Sequence, residues 1–164
     1  MWQNLMTVRP DSYCGLYCGA CFVVRAEREN LQKELVKKYS NLKPEEVKSQ
    51  GCKSEWYVFR GCQKCKIRQC AQEKKLEFCF ECSEYPCEKI EHFKNTGLAH
   101  TFVACHSLKD IQQKGLATWL KQQKVRWECP KCHKSFSWLE EKCSQCGEVL
   151  YNSQKEKQDL LTKT

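Results

Sequence analysis

The chain has 164 residues, a formal charge of +8 and 41% hydrophobic residues, but 15 of those hydrophobics are cysteines. The aliphatic core is therefore thin, and small chains of this kind are usually held together by disulfides or metal. No run approaches the ~20 apolar residues of a membrane span, and the opening MWQNLMTVRPDSY has no apolar stretch of signal-peptide length, which points to a cytoplasmic protein without a membrane partner.

Cytosolic thiols stay reduced, so C-x2-C spacing there reads as metal or redox chemistry, and an odd cysteine count suits disulfides poorly. Ten cysteines stand in five such pairs: Cys18/Cys21, Cys62/Cys65, Cys79/Cys82, Cys129/Cys132 and Cys143/Cys146. Two thiolates three positions apart grip one cation from a tight turn, and a tetrahedral Zn2+ site takes two such half-sites. A four-thiolate zinc site carries a net negative charge, so three of them would bring +8 to about +2. The lysines are also scattered among glutamates, and a nucleic-acid partner is not favoured.

In chain order, Cys14-x3-Cys18-x2-Cys21 comes first. This spacing also seats the [4Fe–4S] cluster of radical SAM enzymes, but the chain is too short for their partial barrel, and a helical pattern follows. Residues 27–39 place Leu31, Leu35 and Tyr39 on one helical stripe with Val36 beside it. Pro44 with Glu45 and Glu46 reads as the first turn of a short helix ending near Gly51. Residues 56–59 are the best strand candidate. Cys62-x2-Cys65-x4-Cys70 then recurs as Cys79-x2-Cys82-x4-Cys87, every position shifted by 17, which suggests one knuckle-then-helix unit used twice. Helices are expected over 66–75 and 83–94, with Cys70 and Cys87 beside apolar residues. Ser107 to Asp110 looks like a capping box opening a connector helix, interrupted at Gly115 and continued by Leu116, Trp119 and Leu120. Cys105 belongs to no motif and reads as a free or packed thiol.

Cys129-Pro-Lys-Cys132, ten intervening residues, then Cys143-Ser-Gln-Cys146-Gly147 reads as a β-hairpin zinc ribbon. Gly147 suits a turn that needs positive φ. Rubredoxin-like iron shares this knuckle geometry. Trp127, Phe136 and Trp138 with Arg126, Lys131 and Lys134 resemble the aromatic-basic face of nucleic-acid-binding ribbons, against ordinary ribbon packing.

The run YCGLYCGAC, then Gly51-Cys52, then GCQKCKIRQCAQEKKLEFCFECSEYPCEKI resembles a cysteine-rich prokaryotic family of unknown function. Its members read Y-C-G-L-x-C-x-x-C, then C-x-x-C-x-I-R-x-C-A and C-x-x-C-x-x-Y/F-P-C-x-K, and often continue through a helical connector into a zinc ribbon. Where the family shows C-x-G-C, this chain keeps Cys52 and has Ser49. The resemblance implies metal binding, zinc above all, and no transferable activity.

The expected fold is small and metal-stabilised, mainly α with irregular zinc knuckles and a C-terminal β-hairpin zinc ribbon. It divides into a cysteine-rich metal-binding domain (11–97), a helical connector (98–126), the ribbon (127–151) and a polar tail (152–164). The candidate ligands are Cys14, Cys18, Cys21, Cys52, Cys62, Cys65, Cys70, Cys79, Cys82 and Cys87, with Cys129, Cys132, Cys143 and Cys146. One partition pairs Cys62/Cys65 with Cys79/Cys82, and Cys18/Cys21 with Cys52 plus Cys14 or a repeat-end cysteine. Two to three zinc ions are expected, with an iron–sulfur cluster or iron as the alternative. Saturated four-cysteine sites have no open position, and no nucleophile elbow, HExxH or phosphate loop is present. The sequence therefore favours a binding or adaptor module for a protein partner. An iron–sulfur or thiolate enzyme and a nucleic-acid binder are the alternatives.

Overall fold

The computed structural model describes residues 8–39 and 41–163. Residues 1–7, where the opening was read for a leader, lie outside the described residues. The described helices are α1 (Phe22–Arg28), α2 (Gln32–Lys38), α3 (Arg60–Gln63), α4 (Lys66–Glu73), α5 (Glu88–Lys94), α6 (Ala99–Lys114), α7 (Leu116–Arg126) and α8 (Ser153–Thr162). Short 3-10 turns lie at Cys18–Ala20, Pro44–Glu46 and Cys79–Glu81.

The β-hairpin zinc ribbon expected over 127–151 is not formed. Among the described residues there is no strand, only isolated antiparallel bridges at Glu128↔Ser135 and Lys142↔Val149. The reason is local. After Phe136 the chain folds into a turn in which Glu140 N donates to the Ser137 carbonyl at 3.2 Å and the Glu140 carboxylate accepts from Ser137 N at 2.9 Å. That turn takes the backbone off an extended path before a ladder can propagate. Residues 56–59 likewise form no strand: Gln50 N donates to the Tyr57 carbonyl at 2.8 Å, and the Phe59 carbonyl accepts from Cys62 N and Gln63 N at the start of α3.

The stripe read over 27–39 breaks in two. Asn30 adopts φ 56° and Leu31 N reaches back to the Ala26 carbonyl at 2.7 Å, a left-handed stop that closes α1. Leu35 is buried, whereas Leu31 and Tyr39 stay partly exposed, Tyr39 stacking on Phe22 at 5.3 Å. Residues 44–46 make a single 3-10 turn rather than a helix reaching Gly51.

Helix α6 is the central element. It packs against α5, α7 and α8 and carries Cys105, Leu108 and Ile111 into one core with Cys14, Ile67, Phe78, Ile90 and Trp119. Leu108 and Trp119 are fully buried, and burying a side chain of this size contributes roughly 1.5–3 kcal/mol. Gly115, at φ 81°, separates α6 from α7. The segment read as a polar tail contains α8, whose N-cap Asn152 accepts from Gln154 N and Lys155 N. A second core of Trp127, Cys129, Phe136, Trp138, Cys143 and Leu150 includes Ala20 from the first knuckle. No helix of the described residues is long and apolar enough to cross a membrane.

Candidate metal centres

The C-terminal unit is built from two copies of one turn. Cys129 N donates to Lys134 O at 2.9 Å and His133 N to Cys129 O at 2.9 Å. In the second copy Cys143 N donates to Glu148 O at 2.8 Å and Gly147 N to Cys143 O at 2.9 Å. The residue after each second cysteine takes positive φ: 59° at His133 and 72° at Gly147. The glycine was legible from its type; the histidine was not. This geometry turns the amides inward and points both thiols the same way.

The two turns face each other. Cys129 Sγ lies 3.6 Å from Cys146 Sγ, and Cys132 Sγ lies 3.5 Å from Cys143 Sγ. All four sulfurs lie within 4.8 Å of one another, so the group can hold a metal ion. Zn–S bonds of about 2.3 Å at the tetrahedral angle would set sulfurs about 3.8 Å apart. Cys129 and Cys143 are buried. The amides of Cys146 and Gln145 donate to Cys143 and hold its thiol down to about 6, whereas Cys146, despite the Glu148 amide, is raised to about 12 by desolvation and the neighbouring thiols; one thiolate forms readily, and a bound cation would favour the others.

The unit is bolted to the first knuckle. The Trp138 indole donates to the Tyr17 carbonyl at 3.1 Å. Buried Arg25 of α1 pairs with Glu29 at 3.0 Å and with Glu140. Glu29 in turn accepts from Ser135 Oγ at 3.1 Å. Trp127, Phe136 and Trp138 are all buried. Arg126 pairs with Glu156 at 2.7 Å and lies over Trp127 and Tyr151. The aromatics read as a stacking platform for bases thus serve the core.

In the N-terminal block, three C-x2-C pairs close the same i to i+3 bond: Cys21 N to Cys18 O at 3.0 Å, Cys65 N to Cys62 O at 3.2 Å and Cys82 N to Cys79 O at 3.2 Å. Cys21 and Cys65 are the N-caps of α1 and α4; Cys70 lies on α4 and Cys87 caps α5. The helix after the second repeat therefore starts at Glu88 rather than Ser83. Cys18 is buried and accepts from Cys52 N at 3.4 Å. Cys52 lies close enough to Cys14, Cys62 and Cys65 to interact electrostatically with them, as Cys62 does with Cys21, Cys65 and Cys14. Cys70, Cys79, Cys82 and Cys87 instead line one small cavity. Cys79 and Cys82 share that cavity with the repeat-end cysteines, and Cys79 also interacts electrostatically with Cys14 and Cys65. Burial pushes the Cys62 and Cys79 thiols up to about 12, and a bound cation would reverse that tendency.

Ser49 is buried, and its hydroxyl accepts from Gly51 N at 3.3 Å and Phe59 N at 3.4 Å. Cys105 is buried in the α6 core beside Cys14. His92 and His133 are exposed, His106 contacts the Phe102 carbonyl at 3.2 Å, and His100 stacks on Trp138 at 4.7 Å. Lys74, whose ammonium lies 3.3 Å from Cys82 Sγ, was missed, because its place at the end of α4 gives no spacing signal.

A family model described as "Protein of unknown function (DUF3795)" matches residues 11–92. No curated protein and no solved structure matches the chain.

Proposed function

The chain belongs to the DUF3795 family, whose description assigns no activity, and on that premise we propose that it is a metal-stabilised binding protein whose C-terminal four-cysteine group holds a structural zinc ion. The observation that carries this reading is the convergence of Cys129, Cys132, Cys143 and Cys146 to within 4.8 Å of one another. Four thiolates complete a tetrahedral shell and leave no position for water or substrate, the mark of a structural site rather than a catalytic one. The job of such a site is to hold shape. Here it anchors residues 127–151 to the first knuckle through the Trp138–Tyr17 bond and to α1 through Arg25.

A protein partner suits this reading better than a small substrate. A wide groove of ≈ 750 Å³ runs between α1, α2 and residues 134–144, with Phe22, Leu35, Tyr39 and Leu139 interleaved with Glu34, Lys38 and Lys142. It presents apolar and charged contacts to a polypeptide and contains no thiol.

Metal analysis of purified protein tests the zinc assignment. Wild type should retain zinc, and Cys143→Ser or Cys129→Ser should each lose about one equivalent per chain. Equal zinc content in wild type and both variants would refute the assignment.

A further inference from the structure

We propose that Cys70, Cys79, Cys82 and Cys87 form a second metal centre, shaped for an iron–sulfur cluster of the cubane class rather than for a single ion. This goes beyond the zinc reading of the C-terminal group and does not depend on it.

The four thiols come from three pieces of chain: the body of α4, both ends of the Cys79–Cys82 knuckle, and the N-cap of α5. All four line one cavity, whose inner wall is Ile67, Ala71, Leu76 and Ile90. Four cysteines facing one space, backed by apolar side chains, is a ligand arrangement with no packing purpose of its own. The aliphatic neighbours alone would fill that space better.

The four sulfurs do not converge as those of the C-terminal group do. A single zinc or iron ion draws four sulfurs to about 3.8 Å from one another, as in the C-terminal group at 3.5 and 3.6 Å. Among the described residues, that C-terminal group is the only set of three or more cysteine, histidine or carboxylate ligands whose atoms all lie within 4.8 Å of one another. No three of Cys70, Cys79, Cys82 and Cys87 are therefore so close. They surround a volume instead of converging on a point. A cube of four irons and four sulfides needs this wider frame, because each cysteine binds a different corner iron. The cavity has a free volume of ≈ 30 Å³, above the ~10–15 Å³ needed for one water, and it is bordered by the exposed Lys74 and Glu84.

Lys74 completes the case. Its ammonium stands 3.3 Å from Cys82 Sγ while pairing with Glu84, whose carboxylate lies 3.8 Å from the same sulfur. A fixed positive charge beside one ligand sulfur offsets the negative charge of a thiolate-bound cluster and raises its reduction potential.

The test uses the full chain purified without oxygen, with iron, acid-labile sulfide and zinc counted and the absorption and reduced EPR spectra recorded. Wild type should be brown, absorb at roughly 400 nm and contain about four irons and four sulfides per cube. Cys79→Ser and Cys82→Ser should lose that iron and absorbance while keeping the zinc of the C-terminal group, which reports that the variants are folded. Cys143→Ser should do the reverse. Lys74→Met alters only an exposed side chain and should move the cluster's reduction potential to lower values. A colourless protein with zinc on these cysteines would overturn the proposal. So would iron retained in full by Cys79→Ser and Cys82→Ser, or a reduction potential unmoved in Lys74→Met, each of which places any cluster elsewhere.

Discussion

The indole of Trp138 donates to the backbone carbonyl of Tyr17 across 121 residues of chain, at 3.1 Å. Tyr17 immediately precedes the Cys18–Cys21 knuckle, so one bond ties the C-terminal four-cysteine unit to the first cysteine turn. Trp138 also meets the Phe22 ring edge-on at 6.2 Å and stacks on His100. Trp138→Phe keeps an aromatic ring but leaves the Tyr17 carbonyl only its second bond, from Ala20 N at 3.2 Å. Loss of the bond should lower unfolding free energy by about 0.5–1.5 kcal/mol with no change in metal content. Urea denaturation and metal analysis of the same sample check both halves; an unchanged midpoint would contradict the link.

Lys53 and Asp11 form a buried ion pair at 2.7 Å, with side chains 1% and 4% exposed. The Lys53 ammonium also lies 3.8 Å from the Phe78 ring centroid. Arg9 also pairs with Asp11 at 3.3 Å, so Lys53→Met leaves the buried carboxylate one partner of two and should cost less than the roughly 3–5 kcal/mol of a fully unpaired buried charge. The double variant Lys53→Met/Asp11→Leu should recover much of that loss. Equal stability of single and double variants in denaturant titration would contradict this account.

Gly15 sits between Cys14 and Cys18 at φ 85°, and a Cβ there would stand 2.3 Å from the Ala104 carbonyl oxygen and 2.9 Å from Leu108 Cγ. The close approach of this turn to α6 requires glycine. Gly15→Ala should destabilise by more than the ~1–2 kcal/mol of left-handed strain alone, because a backbone oxygen must also move. A thermal melt matching wild type would rule this out.

His100 lies against Trp138, and its Nδ1 has no hydrogen-bond partner among the described residues. Burial lowers its pKa from 6.5 to about 4. The folded state thus binds its proton less readily than the unfolded chain does. The stability this group contributes is complete above pH 6.5 and is lost as pH falls from 6.5 towards about 4. An NMR titration should place the His100 midpoint near 4, and His100→Phe should flatten the stability profile across that window. A midpoint near 6.5 would show the ring to be solvated.

The C-x2-C turns were legible because they need only local geometry: one i to i+3 backbone bond closes each of them, as at Cys18/Cys21, Cys62/Cys65 and Cys79/Cys82. Which pairs share a site depends on how α4, α5 and α6 pack, and no spacing rule carries that. Ser107 to Asp110 has the residue types of a capping box but lies inside α6, which starts at Ala99. There, burial of Thr101, Val103 and Ala104 outweighs the local signal. Helix α8 did carry a signal, the Asn152 cap, hidden by the polarity of the residues after it. The missing hairpin follows from the turn at Ser137 and Glu140, a side-chain-to-backbone contact that a pattern of cysteines and aromatics does not encode.

The most direct test of the central claim, that thiolate–metal bonds anchor the C-terminal unit, is zinc K-edge X-ray absorption on the purified chain. The account predicts a shell of four sulfurs at about 2.3 Å that is lost in Cys129→Ser/Cys143→Ser. A nitrogen or oxygen shell in wild type, or a four-sulfur shell that persists unchanged in the double variant, would contradict it.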